Sequence, residues 1–270
     1  MKFLFFVALT ILSNVSLAQS VTVAPSRIFL RGMENGELSE TITISNNGKL
    51  PIILQAGLKD WERDTLGRKQ YFGPGTLKRS NAKFLRIEPE LVEVMPGQSK
   101  DVKVSMKVQE EVQSEQVTNS MLFFTQINSK YIKPEQVDGK RVDLTLKLQL
   151  GVHVYHIPNG LYLRDVEFLN FKDMGFIERE QGDSVRRLKL SFRNTGQLVL
   201  DGKLKIELTN LLNGEDTQLA TINISMLPDE LRHVFIDLPP GEKGDKYLAV
   251  AIVDSGTEMN LKVAEKEITY

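Results

Sequence analysis

Cysteine is absent from the 270 residues. That excludes disulfides, thiolate catalysis, cysteine-ligated zinc and a lipid anchor on a cysteine. Histidine is scarce, with only His153, His156 and His233. His153 and His156 are three apart in a strand-like run, so they point to opposite faces and make a poor metal pair. No H-E-x-x-H, G-x-S-x-G or Walker loop occurs. "GPGTLK" (73–78) resembles a fragment of a phosphate loop but lacks a strand–helix context, and reads as a turn. The acidic clusters "DWERD" and "EKGD" read as solvated turns rather than calcium sites. An excess of charge of one sign is missing too. The net charge is -1, which argues for neither nucleic acid nor an anionic membrane surface as partner. Nothing calls for a cofactor or a metal, and the chain reads as a non-enzyme.

Long apolar runs are missing except at the start. "MKFLFFVALTILSNVSLAQS" has Lys2, an apolar stretch from Phe3 to Leu12, and the small residues Ser16 and Ala18 where a signal peptidase reads. The stretch is too short for a stable membrane anchor. Residues 1–18 are therefore expected to be a cleaved export signal, with the mature chain starting near Gln19 and holding no transmembrane segment.

What remains is 41% hydrophobic and 26% charged, ordinary for a folded protein, and long enough for two domains. The patterning is that of strands separated by turns. "VTVAPSRIFLR" alternates loosely around Pro25 and reads as an edge strand, because proline cannot donate to a ladder. "ETITISN", "LPIILQAGLKDW", "FLRIEPELVEV", "SKDVKVSMKV" and "NSMLFFTQI" follow, with "NNGK" and "MPGQS" as turns. After Pro158, "PNG" interrupts the pattern, and strands resume from "LYLRDVEFLNF" to "NLKVAEKEITY". Short alternating strands of this kind predict two β-sandwiches, 19–158 and 159–270, with a hinge near Pro158 to Gly160.

Two features stand out. "VDLTLKLQL" (142–150) alternates Val142, Leu144, Leu146, Leu148 and Leu150 with polar residues, and continues into "GVHVYHIP". The run exceeds the usual strand of about 5–6 residues. Its apolar edge faces either the domain's own core or a partner. Arg27 stands between apolar neighbours in the first strand. It is either a surface side chain lying over the sheet or a fixed guanidinium awaiting a carboxylate.

Taken together, "APSRIFLRG", "ETITISNNGKLPIILQA", "LRIEPELVEVMPGQSKDVKVSM", "NSMLFFTQI" and "LTLKLQLGVHVYHIP" resemble, in order and spacing, the N-terminal domain of the periplasmic chaperones of chaperone–usher pilus assembly. The likeness spans roughly 21–158; the second half resembles the family only as a further sandwich in the expected place. It implies an all-β protein of two immunoglobulin-like domains in a boomerang arrangement. It also implies a partner, an incomplete immunoglobulin-like pilus or surface subunit, to which Val142, Leu144, Leu146, Leu148 and Leu150 lend apolar side chains by β-strand addition. Filling such pockets is worth roughly 1.5–3 kcal/mol per leucine before ordering is counted. An outer-membrane assembly protein is a further implied partner.

In that family two cleft residues hold the subunit's terminal carboxylate. Arg27 matches the arginine, but His153 stands where the lysine is expected. An unperturbed histidine, with a pKa near 6.5, is mostly neutral at pH 7. Gly57 replaces a frequent tryptophan, with Trp61 four residues on, and Tyr131 to Pro134 replace paired prolines. These departures mark a divergent branch. The alternative function is a structural or accessory component of an outer-membrane or surface assembly, using the same fold as a fixed interaction module. A ladder that is purely internal core is the third reading.

Overall fold

The computed structural model describes residues 21–32, 36–107, 116–128, 131–137, 140–145, 147–180, 182–256 and 259–270, with backbone alone across 131–137 and 140–145. The expected export signal, residues 1–18, lies outside the described residues.

The first half is a sandwich of strands. One sheet has the order β1 (Val21–Ala24), β3 (Glu37–Asn46), β8 (Ser99–Lys107), β6 (Leu85–Glu88). The other has the order β2 (Arg27–Arg31), β12 (Gln149–Ile157), β9 (Thr118–Gln126), β4 (Ile52–Arg63), β5 (Lys69–Phe72), with β7 (Leu91–Val94) also on β4. Pro25 and Ser26 separate β1 from β2, so what reads as one edge strand is two, one in each sheet. Alternation sends Ile42, Ile44, Val102 and Val104 from one sheet against Ile28, Leu54, Phe124, Val152 and Val154 from the other. A short 3-10 turn (Ala82–Phe84) is the helical element among the described residues.

The second half repeats the plan. A sheet of β13 (Val166–Glu178), β14 (Ser184–Asn194) and β17 (Leu231–Asp237) faces one of order β16 (Asp216–Met226), β15 (Leu200–Asn210), β18 (Lys246–Asp254), β19 (Lys262–Thr269). Leu188, Leu190, Phe192 and Ile236 meet Leu204, Ile206, Ala249, Ala251 and Val253 in its core.

Both halves use the same two sequence devices. In "NNGKL" the buried Asn46 donates from Nδ2 to the carbonyls of Leu50 (2.8 Å) and Val94 (2.9 Å), and its Oδ1 accepts from Gly48 N–H at 2.9 Å. In "NTGQL" the buried Asn194 donates to the carbonyls of Leu198 (2.9 Å) and Met226 (3.2 Å), and accepts from Gly196 N–H at 3.0 Å. Each asparagine thus satisfies the backbone where the chain leaves one strand for the next. The partnering turn also recurs. "MPGQ" closes with Gln98 N–H to Met95 O and "LPDE" with Glu230 N–H to Leu227 O, each at 3.1 Å. Gly97 has φ +71° and its counterpart Asp229 has φ +60°, the positive φ that a proline-led type II turn needs at its third residue.

Two further expectations are corrected. The 142–150 ladder is not one strand. β11 (Lys140–Thr145) pairs with β10 (Tyr131–Val137) in a separate two-stranded sheet, and β12 begins at Gln149. Pairing with different partners divides the run, though its alternation is continuous. "DWERD" is no solvated turn: it lies within β4 and its end, with Asp60 and Trp61 buried. Asp60 Oδ2 accepts from the backbone N–H of Thr76 (2.7 Å) and Leu77 (2.8 Å), and Oδ1 accepts from Ser80 Oγ at 2.5 Å. The "GPGTLK" turn therefore wraps an internal carboxylate. These donors satisfy the oxygens of the buried carboxyl group.

Candidate functional site

Strand alternation sorts β2 and β12 into two faces. Ile28, Leu30, Val152 and Val154 enter the N-terminal core, while Arg27, Phe29, His153 and Tyr155 take the opposite face. β2 runs parallel to β12, with Arg27 directly beside His153. Phe29 stacks on Tyr155 with ring centroids 5.2 Å apart. This face meets the second domain through a cluster of Trp61, Val117, Met121, Tyr155 and Ile157 with Leu198, Val199 and Leu227.

Charged contacts tie the two halves around that cluster. Arg27 Nη1 donates to Asp201 Oδ2 at 2.7 Å, with both side chains substantially exposed. Arg63 Nη1 meets Glu230 Oε2 at 3.4 Å, both buried, and Arg79 Nη2 meets Asp229 Oδ2 at 2.7 Å. Glu230 also binds Arg232 and accepts from Leu227 N–H at 2.8 Å. The β4–β5 turn adds Thr65 O, which accepts from His233 N–H at 2.6 Å. A cleft of about 510 Å³ between the halves is lined by Trp61, Arg63, Arg79, Pro228, Asp229 and Glu230. Of its carboxylates, Asp229 and Glu230 are already matched by arginines.

His153 lies against the edge of Trp61, with ring centroids 4.6 Å apart, and parallel to Tyr155. Burial, with Lys69, Arg63 and Arg27 nearby, pushes its pKa down to about 3, so the imidazole is neutral near pH 7. Its Nε2 lies 2.8 Å from Lys69 Nζ, and its Nδ1 lies 3.4 Å from the Tyr155 hydroxyl. An ammonium only donates, so Nε2 carries the lone pair and Nδ1 the proton. Lys69 is a site residue that sequence reasoning missed. In the sequence it is one of many surface-like lysines, and only the β4–β5 hairpin, pairing Arg63 with Lys69, brings it here. The other histidines stand apart. His156 is buried, with Nε2 3.3 Å from Gly32 O, and no group of three or more metal-binding side chains forms among the described residues.

The ladder residues divide three ways. Leu148 and Leu150 are half-buried and pack against the N-terminal core. Val142 and Leu144 lie on β11, placed by backbone alone, and Leu146 lies outside the described residues. β12 pairs with β9 across Gln149–His156, but β2 covers its other edge only from His153 to Ile157. Among the described residues, no strand covers that edge over 149–152. Trp61 packs at the junction, whereas nothing lies within 4 Å of where a Cβ on Gly57 would sit.

With this geometry the chain has the fold of the periplasmic chaperones of chaperone–usher pili, with their two immunoglobulin-like domains. It matches a chain of the CsuC–CsuE chaperone–tip adhesion subunit pre-assembly complex, from archaic Csu pili of Acinetobacter baumannii. That match covers 91% of this chain and 97% of that one, at 12% identity and a TM-score of 0.51. Further similar structures are a chain of the Salmonella enterica SafA pilin–SafB chaperone complex (14% identity, 92% of this chain and 96% of that one, TM-score 0.47) and the E. coli chaperone DraB (16%, 93% and 97%, 0.46). No protein-family model and no curated protein sequence matches. No helix among the described residues is long and apolar enough to cross a membrane.

Proposed function

We propose that the protein is a periplasmic chaperone for pilus or surface-structure subunits, exported by cleavage near Ala18 and built as domains 19–158 and 159–270. It binds an incomplete immunoglobulin-like subunit by adding the strand region 142–150 to it. The subunit's terminal carboxylate is held at the domain junction by Arg27, at the point where it stands beside His153. Hand-over of the complex to an outer-membrane assembly protein belongs to the same reading.

The observation that carries this reading is the half-covered edge of β12, which ends where Arg27 stands beside His153. A strand added upstream of β2 along that edge terminates against Arg27. If it runs parallel to β12, it presents its C-terminal carboxylate there; if antiparallel, its N-terminal ammonium. Arg27, Arg63 and Lys69 gather at this point and repel an ammonium, so electrostatics selects the parallel direction. The exposed edge supplies main-chain hydrogen bonds, and alternate side chains fill the subunit's pockets.

Because Leu148 and Leu150 pack on the chaperone's own core, they are poor probes of donation. The test is the Leu144→Ser, Leu146→Ser double variant, with subunit co-purification from the periplasm as readout. The expected result is loss of the subunit with an unchanged thermal midpoint. An unfolded variant places the ladder in the core, and undiminished co-purification removes it from the interface.

A further inference from the structure

Lys69 lies directly opposite Arg63 on neighbouring strands, a like-charge pairing that sheets disfavour. Arg63 is matched by Glu230, but Lys69 has no carboxylate partner among the described residues. Its ammonium instead points one N–H at neutral His153 and lies 5.7 Å from the centre of the Trp61 ring. Nearby, Arg27 stands beside His153 and holds Asp201, at the surface. Among the described residues, the cations here outnumber the carboxylates that pair with them: Arg63 and Arg232 share Glu230, Arg27 holds Asp201, and Lys69 is left over. Burial, then repulsion from Arg63 and Arg27, lowers the pKa of Lys69, so an anion entering here relieves a charge the fold itself leaves unbalanced.

Resting on the reading above, we propose that Lys69, not His153, supplies the second positive charge of the site. Arg27 and Lys69 together bind one C-terminal carboxylate, and His153 is a neutral acceptor that orients the ammonium. A lysine absent from its expected strand position is thereby replaced from a different strand. His153 is a positioning residue. Its imidazole fixes one of the three ammonium N–H groups and leaves two for the ligand.

The probe is an acetylated peptide of alternating threonine and valine, made with a free C-terminal carboxylate and as the carboxamide. Binding to the full chain is read by the emission of Trp61, the sole tryptophan. Wild type is expected to prefer the acid, and Lys69→Met to reduce that acid-over-amide ratio about tenfold, the scale of one charge-assisted hydrogen bond. Lys69→Arg is expected to retain most of it. His153→Gln is expected to retain a reduced preference, which His153→Ala loses further. Circular dichroism checks that each variant folds. If Arg27→Met abolishes the preference and Lys69→Met leaves it intact, the role of Lys69 is overturned while the anchor stands. Equal binding of acid and amide to wild type overturns the anchor and Lys69 with it. Failure of both peptides to bind overturns strand addition as well.

Discussion

Arg27 in the first domain and Asp201 in the second meet at 2.7 Å, so the guanidinium proposed to receive a partner's carboxylate already holds one from its own chain. The hydrogen bond that Arg27 donates to Asp201 raises the pKa of Arg27. Both side chains are too exposed for the pair to stabilise the fold much, and exposed ion pairs contribute about 0–1 kcal/mol. A bond that weak is readily exchanged for an incoming carboxylate. Asp201→Asn is therefore expected to leave the unfolding midpoint nearly unchanged while tightening binding of a carboxylate-ended peptide about two- to fivefold. Weaker binding in that variant identifies Asp201 as part of the binding surface instead of a competitor.

His153 gives the pH dependence. The sequence assigns it an ordinary pKa near 6.5, yet burial and the surrounding Lys69, Arg63 and Arg27, only partly offset by Asp201, place it at about 3. The folded pKa lies below the unfolded one, so the unfolded chain takes up the proton first. Stability from neutral His153 is whole above about pH 6.5 and is lost as pH falls from there toward about 3. His156 and His233 shift in the same direction. Urea titrations are expected to show wild type losing on the order of 1 kcal/mol more than His153→Gln between pH 7.5 and 5, after allowance for solvent screening. Client binding should show no titration step from His153 between about pH 5.5 and 8, and a step removed by His153→Gln counts against the neutral imidazole.

Asp229 occupies the position that glycine holds in the equivalent turn of the first domain, at φ +60°. A left-handed conformation disfavours side chains by about 1–2 kcal/mol, less for aspartate than for alanine. Its bridge to Arg79 is largely exposed on the aspartate side and adds little. Asp229→Gly is expected to be at least as stable as wild type, and Asp229→Ala about 1 kcal/mol less stable than the glycine variant. Equal midpoints for the two in urea would remove backbone strain from the account.

Asn46 and Asn194 perform the same task in separate domains, so they should fail separately. Replacing either by alanine strands two carbonyls and one N–H, buried at Asn194 and partly buried at Asn46, a loss of about 2–4 kcal/mol. Hydrogen exchange of buried strand amides, read separately in the two domains, follows each half. Asn46→Ala is expected to speed exchange mainly in the first domain, and Asn194→Ala mainly in the second. Equal acceleration in both domains by both variants indicates that the halves unfold as one unit.

Much of this molecule is legible in its residue order. Periodicity of two marks Ile42 with Ile44, Ile52 with Leu54 and Val102 with Val104 as inward-facing pairs, and they are buried. The proline–glycine turn at Pro96 and Gly97 sits where the chain reverses. Arg27 reads as a cation in an apolar strand, which it is. These features depend on neighbours in sequence, through backbone geometry and the alternation of side chains.

Tertiary structure alone decided the rest. Whether 142–150 forms one strand or two depended on which strands lay alongside, and alternation is blind to that. Asp60 reads as a solvated acid, and becomes a buried one because residues 76–80 return to give it three donors. Lys69 reads as one more surface lysine, and reaches His153 because a hairpin lays it beside Arg63, 84 positions away from its partner in the chain. The sequence by itself determined an all-β chain with an arginine and a leucine ladder in telling places. Packing, which sets the distances between charges remote in sequence and the water left around them, decided which cation stands beside that arginine and that the histidine there is neutral.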